Sequence, residues 1–188
     1  MKKFKNKNEL LEWIKALGIA LIFVLCMHTF ILTPVVVKGA SMMPTFEEGD
    51  RVVVNKIGPR LTNYNRFDVV VLDAKEDKSF IKRIIGMPGD QISYENDVLF
   101  VNGKRYEEPY LEEYKKALKD NRTLTEDFTL EECLGEAVVP NGHYFVLGDN
   151  RQVSKDSRDP SVGFVSKNKI VGKAKIVFYP LDNLHVID

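Results

Sequence analysis

Phe80-Ile81-Lys82-Arg83-Ile84-Ile85-Gly86 runs directly into Met87-Pro88-Gly89-Asp90. A run rich in isoleucine and closed by a Pro-Gly turn reads as a β-strand ending in a tight turn. A basic pair stands in its middle. Alternate side chains of a strand share a face. Phe80, Lys82 and Ile84 therefore point one way, and Ile81, Arg83 and Ile85 the other. Lys82 projects between two apolar neighbours. Burial disfavours an ammonium and lowers its pKa, and a lysine neutral near about pH 7–8 can serve as a general base. An ordinary solvated lysine beside Arg83 is the plainer reading of the same stretch.

Outward from this strand the chain stays β. Asp50–Lys56 and Asp68–Asp73 are valine-rich strands, separated by loop signals at Gly58-Pro59 and Asn63-Tyr64-Asn65. Gln91–Glu95 and Val98–Val101 alternate like paired strands. Asn102-Gly103 then marks a hairpin, because a type I′ turn needs positive φ at both places. Strand character returns at His143–Leu147 and Ile170–Tyr179. Residues 106–137 differ. Glu107 to Leu118 is charged, with Leu111, Tyr114 and Leu118 on one helical face, and the stretch through Glu131-Glu132 is acidic and irregular. The fold expected is a mostly β core with a small inserted lobe at about 106–137.

The N-terminus reads as a membrane anchor. Residues 1–12 form a basic tail, with Lys2, Lys3, Lys5 and Lys7 against Glu9 and Glu12. Residues 13–37 are apolar, and Ala16 to Val37 carries no charge, which exceeds the about 20 residues a helix needs to cross a bilayer. A cleavable signal has a shorter apolar region of about 7–15 residues. Its best exit here, Val37-Lys38-Gly39-Ala40, puts a lysine three residues before the cut. The expectation is one uncleaved transmembrane helix, kinked or ended at Pro34, with Val35 to Val37 already extended. The excess of lysines before the span makes the tail cytoplasmic and residues 38–188 extracytoplasmic.

Charge and cysteines exclude other classes. With 27 basic and 27 acidic residues the net charge is zero, so nucleic acid is not an expected partner. Cys26 lies inside the apolar run and does not pair with Cys133. His28, His143 and His185 are scattered, so neither metal nor cofactor is expected.

Two further stretches carry chemistry. Gly39-Ala40-Ser41-Met42-Met43-Pro44-Thr45 places a serine just past the anchor. Serine is a weak nucleophile and needs a base; alone, this stretch could equally be a packed turn. Gly148-Asp149-Asn150-Arg151-Gln152-Val153-Ser154-Lys155-Asp156-Ser157-Arg158 follows the strand His143–Leu147 and is dense in charge and hydroxyls. It could be a solvated loop of weak surface ion pairs, or a loop that aims the lysine.

Together these stretches resemble the bacterial type I signal peptidases, peptidase family S26, in their short single-span Gram-positive form. Five motifs match in the family's order: Gly39 to Thr45, Gly49-Asp50-Arg51-Val52-Val53-Val54, Arg66-Phe67-Asp68-Val69-Val70-Val71, Ile81 to Asp90, and Gly148 to Arg158. The resemblance implies a membrane-bound serine endopeptidase with the signal-peptidase and repressor-protease type of β fold. It further implies cleavage of N-terminal signal peptides from exported preproteins after small residues at the first and third positions before the scissile bond, through an acyl-enzyme. By the same resemblance Ser41 is the nucleophile, Lys82 the general base and Ser154 the residue that orients the lysine. Arg83, Asp149, Asp156 and Arg158 are supporting contacts. The oxyanion site involves the Ser41 N–H and the position of Gly39, where some members carry a serine; this chain has no hydroxyl there. Phe67 also departs from the family, where Gly is common, and is expected to affect strand packing. Met42, Met43, Phe80, Ile81 and Ile84 are candidate walls of the substrate site. Preprotein signal peptides and the lipid bilayer are the partners implied, with room for association with the secretion translocon.

Two rivals stand beside this reading. One is a catalytically idle, membrane-tethered relative that acts as a scaffold, although Ser41 and Lys82 are both present. The other is a self-cleaving Ser/Lys repressor, but such proteins are cytosolic and bind DNA, and this chain has no basic recognition helix.

Overall fold

The structure, a computed structural model, describes residues 7–26, 32–57, 63–74, 78–118 and 122–187. One helix, α1 (Lys7–Cys26), is followed by twelve described strands: β1 (Leu32–Val36), β2 (Arg51–Asn55), β3 (Val69–Ala74), β4 (Lys78–Gly86), β5 (Ile92–Glu95), β6 (Val98–Val101), β7 (Lys104–Tyr106), β8 (Phe128–Thr129), β9 (His143–Leu147), β10 (Val165–Ser166), β11 (Ile170–Tyr179) and β12 (His185–Val186). Two short helices, α2 (Glu112–Ala117) and α3 (Leu130–Leu134), lie between β7 and β9.

The main sheet is ordered β1-β2-β11-β3-β4-β9-β10, with β12 also on β11, and every pairing is antiparallel. β3 and β4 lie at its centre, which explains their continuous apolar sequence: both faces are covered. Val69 and Val71 join Met42, Phe46 and Ile81 in one apolar cluster, whereas Val70 and Leu72 join Tyr64, Ile84 and Val146 in another. Lys82 lies opposite Val70, and Arg83 opposite Val69 and Leu147.

The second sheet is ordered β7-β6-β5-β8. Asn102 and Gly103 have φ of 52° and 74°, as the expected hairpin requires. Asn96 and Asp97, at φ 50° and 64°, make a second such turn without glycine. The Asp97 carboxylate accepts the N–H groups of Leu124 and Thr125 and pairs with Lys115, which ties the returning chain down. α3 opens with a Thr129/Glu132 capping box and ends on Gly135 in the left-handed region.

Two expected boundaries change. Ser93 pairs with Thr129, so β5 to β7 belong to the same unit as β8, and the lobe begins near Ile92 rather than at 106. Leu32–Val36, assigned from sequence to the end of the anchor, is an edge strand paired with β2, with Val35 opposite Val52. The β-branched Thr33, Val35 and Val36 favour extension, and Pro34 is tolerated because β1 has only one neighbour. Among the described residues no helix is long and apolar enough to cross a membrane. His28 and Thr29 lie outside the described residues.

Candidate active site

Ser41 lies on a turn between β1 and β2. Gly39, with φ +82°, makes the reversal into it. Met42 and Phe46 anchor the turn from below in the first apolar cluster. From above, the N–H of Asn150 donates to the Ser41 carbonyl at 3.1 Å, and its side-chain amide donates to the Ala40 carbonyl at 3.1 Å. The Ser41 turn is thus fastened to the loop that leaves β9.

Lys82 reaches the same point from the middle of β4. Its Nζ donates to Ser41 Oγ at 2.7 Å, and the side chain is only 3% exposed. Burial pushes its pKa down to about 8; Asp156 and Asp149 pull against this, and Arg158 adds to it. Near neutral pH an appreciable share of Lys82 is uncharged and can accept the Ser41 proton. The burial inferred from alternation is present, although Phe80 on the same strand is 49% exposed.

Arg83 turns away to a buried fork. Its Nε and Nη2 donate to the two oxygens of Asp149 at 3.0 and 2.7 Å, and Nη1 donates to the Phe67 carbonyl at 3.0 Å. Such bidentate pairs fix orientation as well as charge. The Asp149 carboxylate also accepts from the Thr45 hydroxyl at 2.6 Å, which links the fork to the Ser41 turn. Asp156 accepts the Gly148 N–H at 3.0 Å and is bridged by Arg158 at 2.9 Å. Arg158 in turn donates to the Arg151 carbonyl at 2.7 Å. The structure therefore brings Ser41, Lys82, Arg83, Asp149, Asp156 and Arg158 together.

Ser154 differs from expectation. Its hydroxyl is buried but has no hydrogen-bond partner among the described residues; the Lys82 amine is engaged by Ser41 instead. Ser154 packs on Gly148, where a Cβ would collide with both the Ser154 hydroxyl and the Ser41 carbonyl. Of the proposed substrate walls, Met42, Ile81 and Ile84 are core residues with at most 7% exposure, whereas Phe80 and Met43 present surface to a ligand. A cavity of about 360 Å³ opens beside Lys82 between Phe80, Leu72, Val162 and Phe164. Among the described residues no group of three or more His, Cys, Asp or Glu could hold a metal ion.

Phe67 has φ +70°, a conformation that glycine adopts without strain. Its ring packs edge-on against Tyr106 and Tyr110 of the lobe. Sequence reasoning assigned no role to Thr45, Asn150 or Arg151. Thr45 and Asn150 bond side chain to partner across 104 and 110 residues, and Arg151 reaches Glu108 across 43, so no local pattern marks them.

The family model described as signal peptidase, peptidase S26, matches residues 10–179. The chain belongs to the S26 signal peptidases. Its family members include signal peptidase I of Bacillus caldolyticus, 48% identical over 162 residues, covering 86% of this chain and 87% of the relative. Signal peptidase I P of Bacillus subtilis subsp. natto is 45% identical over 185 residues, covering 97% and 96%. Signal peptidase IB of Staphylococcus aureus is 42% identical over 178 residues, covering 93% and 92%. A crystal structure of a signal peptidase I from Enterococcus faecalis, 39% identical, superposes with a TM-score of 0.56 over 60% of this chain and 97% of that one. As an S26 signal peptidase, the chain is a serine endopeptidase.

Proposed function

We propose that this peptidase removes N-terminal signal peptides from exported preproteins by a Ser41/Lys82 dyad acting through an acyl-enzyme. The observation that carries the reading is the 2.7 Å contact between Lys82 Nζ and Ser41 Oγ at a lysine held near pKa 8. Neutral Lys82 takes the Ser41 proton as Oγ attacks the carbonyl carbon of the scissile bond. The resulting ammonium gives that proton to the leaving amine, and the signal peptide stays on Ser41 as an ester. Lys82 then activates water, which releases the peptide as a carboxylate. The Ser41 N–H is one donor to the oxyanion, a contribution worth roughly 2.7–4 kcal/mol in such sites. Gly39 offers a backbone N–H and no hydroxyl. Ser154, buried and unpartnered beside Ser41, receives the lysine when it leaves the acylated serine. Phe80 and Met43 bound shallow pockets for small side chains, and the substrate lies extended against a strand edge.

The anchor is part of this reading. Trp13, Leu17, Ile19, Leu21 and Ile22 of α1 are each at least 60% exposed. An apolar helix uncovered by its own domain is suited to lipid. We infer that it and the apolar sequence after it hold the domain on the outer face of the cell membrane. This keeps Ser41 at high effective concentration near signal peptides that reach the same depth, in functional association with the secretion translocon.

The test is cleavage of a preprotein with an Ala-x-Ala site by detergent-solubilised wild type, Ser41→Ala and Lys82→Arg across pH 6 to 10. Wild-type cleavage should rise through one basic limb near pH 8, and both variants should be inactive, because arginine stays protonated. Cleavage by Ser41→Ala, or an inert wild type, would reject the dyad and favour an idle scaffold.

A further inference from the structure

Arg151 is fully buried, and it reaches across to the lobe rather than to the dyad. Its Nη2 donates to Glu108 Oε1 at 2.6 Å, and its Nη1 donates to the Tyr94 hydroxyl at 2.7 Å and the Thr125 hydroxyl at 3.1 Å. Its Nε donates to the Gly148 carbonyl at 3.1 Å. The same Glu108 oxygen also accepts from Tyr94 at 2.8 Å and Tyr110 at 2.6 Å. Glu108 belongs to the lobe, whereas Arg151 directly follows Asn150, the residue that holds the Ser41 and Ala40 carbonyls.

This cluster is a costly way to attach a lobe. The second apolar cluster already joins lobe and core, with Ile92, Leu99 and Phe128 packed against Ile85, Phe145 and Leu147. A buried ion pair seldom adds stability over apolar residues of the same volume. The second Glu108 oxygen is buried with no hydrogen-bond partner among the described residues, a further penalty. What charge adds is direction: three donors converge on one oxygen, and the acceptor's position sets that of the guanidinium. A second connection runs in parallel, because the Tyr110 ring lies 3.9 Å from the Arg83 guanidinium, which holds Asp149.

We propose that Glu108 is a positioning residue. By clamping Arg151 it fixes the 148–151 loop, which in turn holds the Ser41 turn in line with Lys82. The lobe is then a structural support of catalysis. This rests on the Ser41/Lys82 reading above.

The experiment uses the full chain in detergent and an internally quenched peptide spanning an Ala-x-Ala cleavage site. Turnover is normalised to the folded fraction, measured by far-UV circular dichroism. Glu108→Gln keeps volume and hydrogen-bonding capacity but removes the charge. Its kcat should fall about 10- to 100-fold, with KM within about twofold. The double variant Glu108→Leu/Arg151→Met removes the pair without leaving a buried charge. Its unfolding midpoint should match or exceed that of Glu108→Gln while its kcat stays low. Tyr110→Phe, which keeps the ring over Arg83, should show a smaller loss of kcat and serves as the test where Glu108→Gln fails to fold. A purely structural role would tie activity to folded fraction, so a folded double variant with wild-type kcat overturns the proposal. So does a folded Glu108→Gln or Tyr110→Phe with unchanged turnover. Ser41→Ala, run alongside, separates the two readings. If it still cuts, the dyad reading falls and this inference with it. If it is dead while the Glu108 variants match wild type, only the positioning role falls.

Discussion

Replacing Lys82 with methionine should stabilise this protein while abolishing its activity. The lysine is held at about 8 instead of 10.5, mainly by burial. At about 1.4 kcal/mol per pH unit this corresponds to about 3 kcal/mol of native-state cost. The unfolded chain binds the proton more tightly than the native one, so wild-type stability rises with pH between about 8 and 10.5. Below about 8 the full cost is present, and above 10.5 it is gone. Methionine has a similar unbranched shape and fits an apolar surrounding. The lost hydrogen bond to Ser41 offsets about 1 kcal/mol. Lys82→Met should therefore gain about 2 kcal/mol at pH 7 and lose that advantage as pH approaches 10.5. The assay is urea unfolding of both proteins at matched detergent and several pH values, followed by far-UV circular dichroism. Tryptophan fluorescence is unsuitable because Trp13, the single tryptophan, lies in α1 outside the β core. A stability difference that stays constant from pH 7 to 10.5, or a variant less stable at pH 7, would refute the argument that burial tunes this lysine.

Three other perturbations test the surrounding scaffold. Asp149→Asn leaves the buried Arg83 without its counter-charge and should cost about 3–5 kcal/mol, read as a lower urea midpoint. Gly148→Ala drives a methyl into the Ser154 hydroxyl and the Ser41 carbonyl; kcat should fall about 100-fold, and unchanged turnover would mean that the nucleophile turn is not held from that side. Phe67→Gly removes a left-handed strain of about 1–2 kcal/mol and two aromatic contacts together worth about 1–3 kcal/mol. Thermal unfolding should change little, and activity should persist because Arg83 bonds the backbone carbonyl that the variant retains.

What could be read from sequence was whatever local chemistry determines. The valine run of β3 and the isoleucines of β4 marked strands because branched apolar side chains favour extension, and Asn102-Gly103 marked its turn because few residue pairs adopt that backbone. Lys82 was suspect because strand alternation puts it among apolar neighbours. Contacts that cross the chain were not legible. Glu108 and Arg151 are 43 residues apart and look like two exposed charges until the lobe folds over them. The lobe boundary was misplaced because β8 contributes only Phe128 and Thr129, too short a stretch to register as a strand. β1 was absorbed into the anchor because an apolar edge strand that follows an apolar helix leaves no break in composition. Ser154 was assigned to the lysine, whereas its hydroxyl lies unpartnered against Gly148.

The place of β11 has a consequence for when the main sheet can close. β2 and β3 are neighbours in the chain, but β11, residues 170–179, lies between them in the sheet. Until that strand arrives, β2 and β3 each present an unpaired edge, and the apolar cluster beneath Ser41 lacks Ala174 and Val177. The Ser41 turn then rests on an incomplete apolar floor. A chain still being synthesised, without residues 170–179, therefore presents two open strand edges and an unfinished core beneath Ser41. The main sheet becomes continuous only when this last long strand is in place.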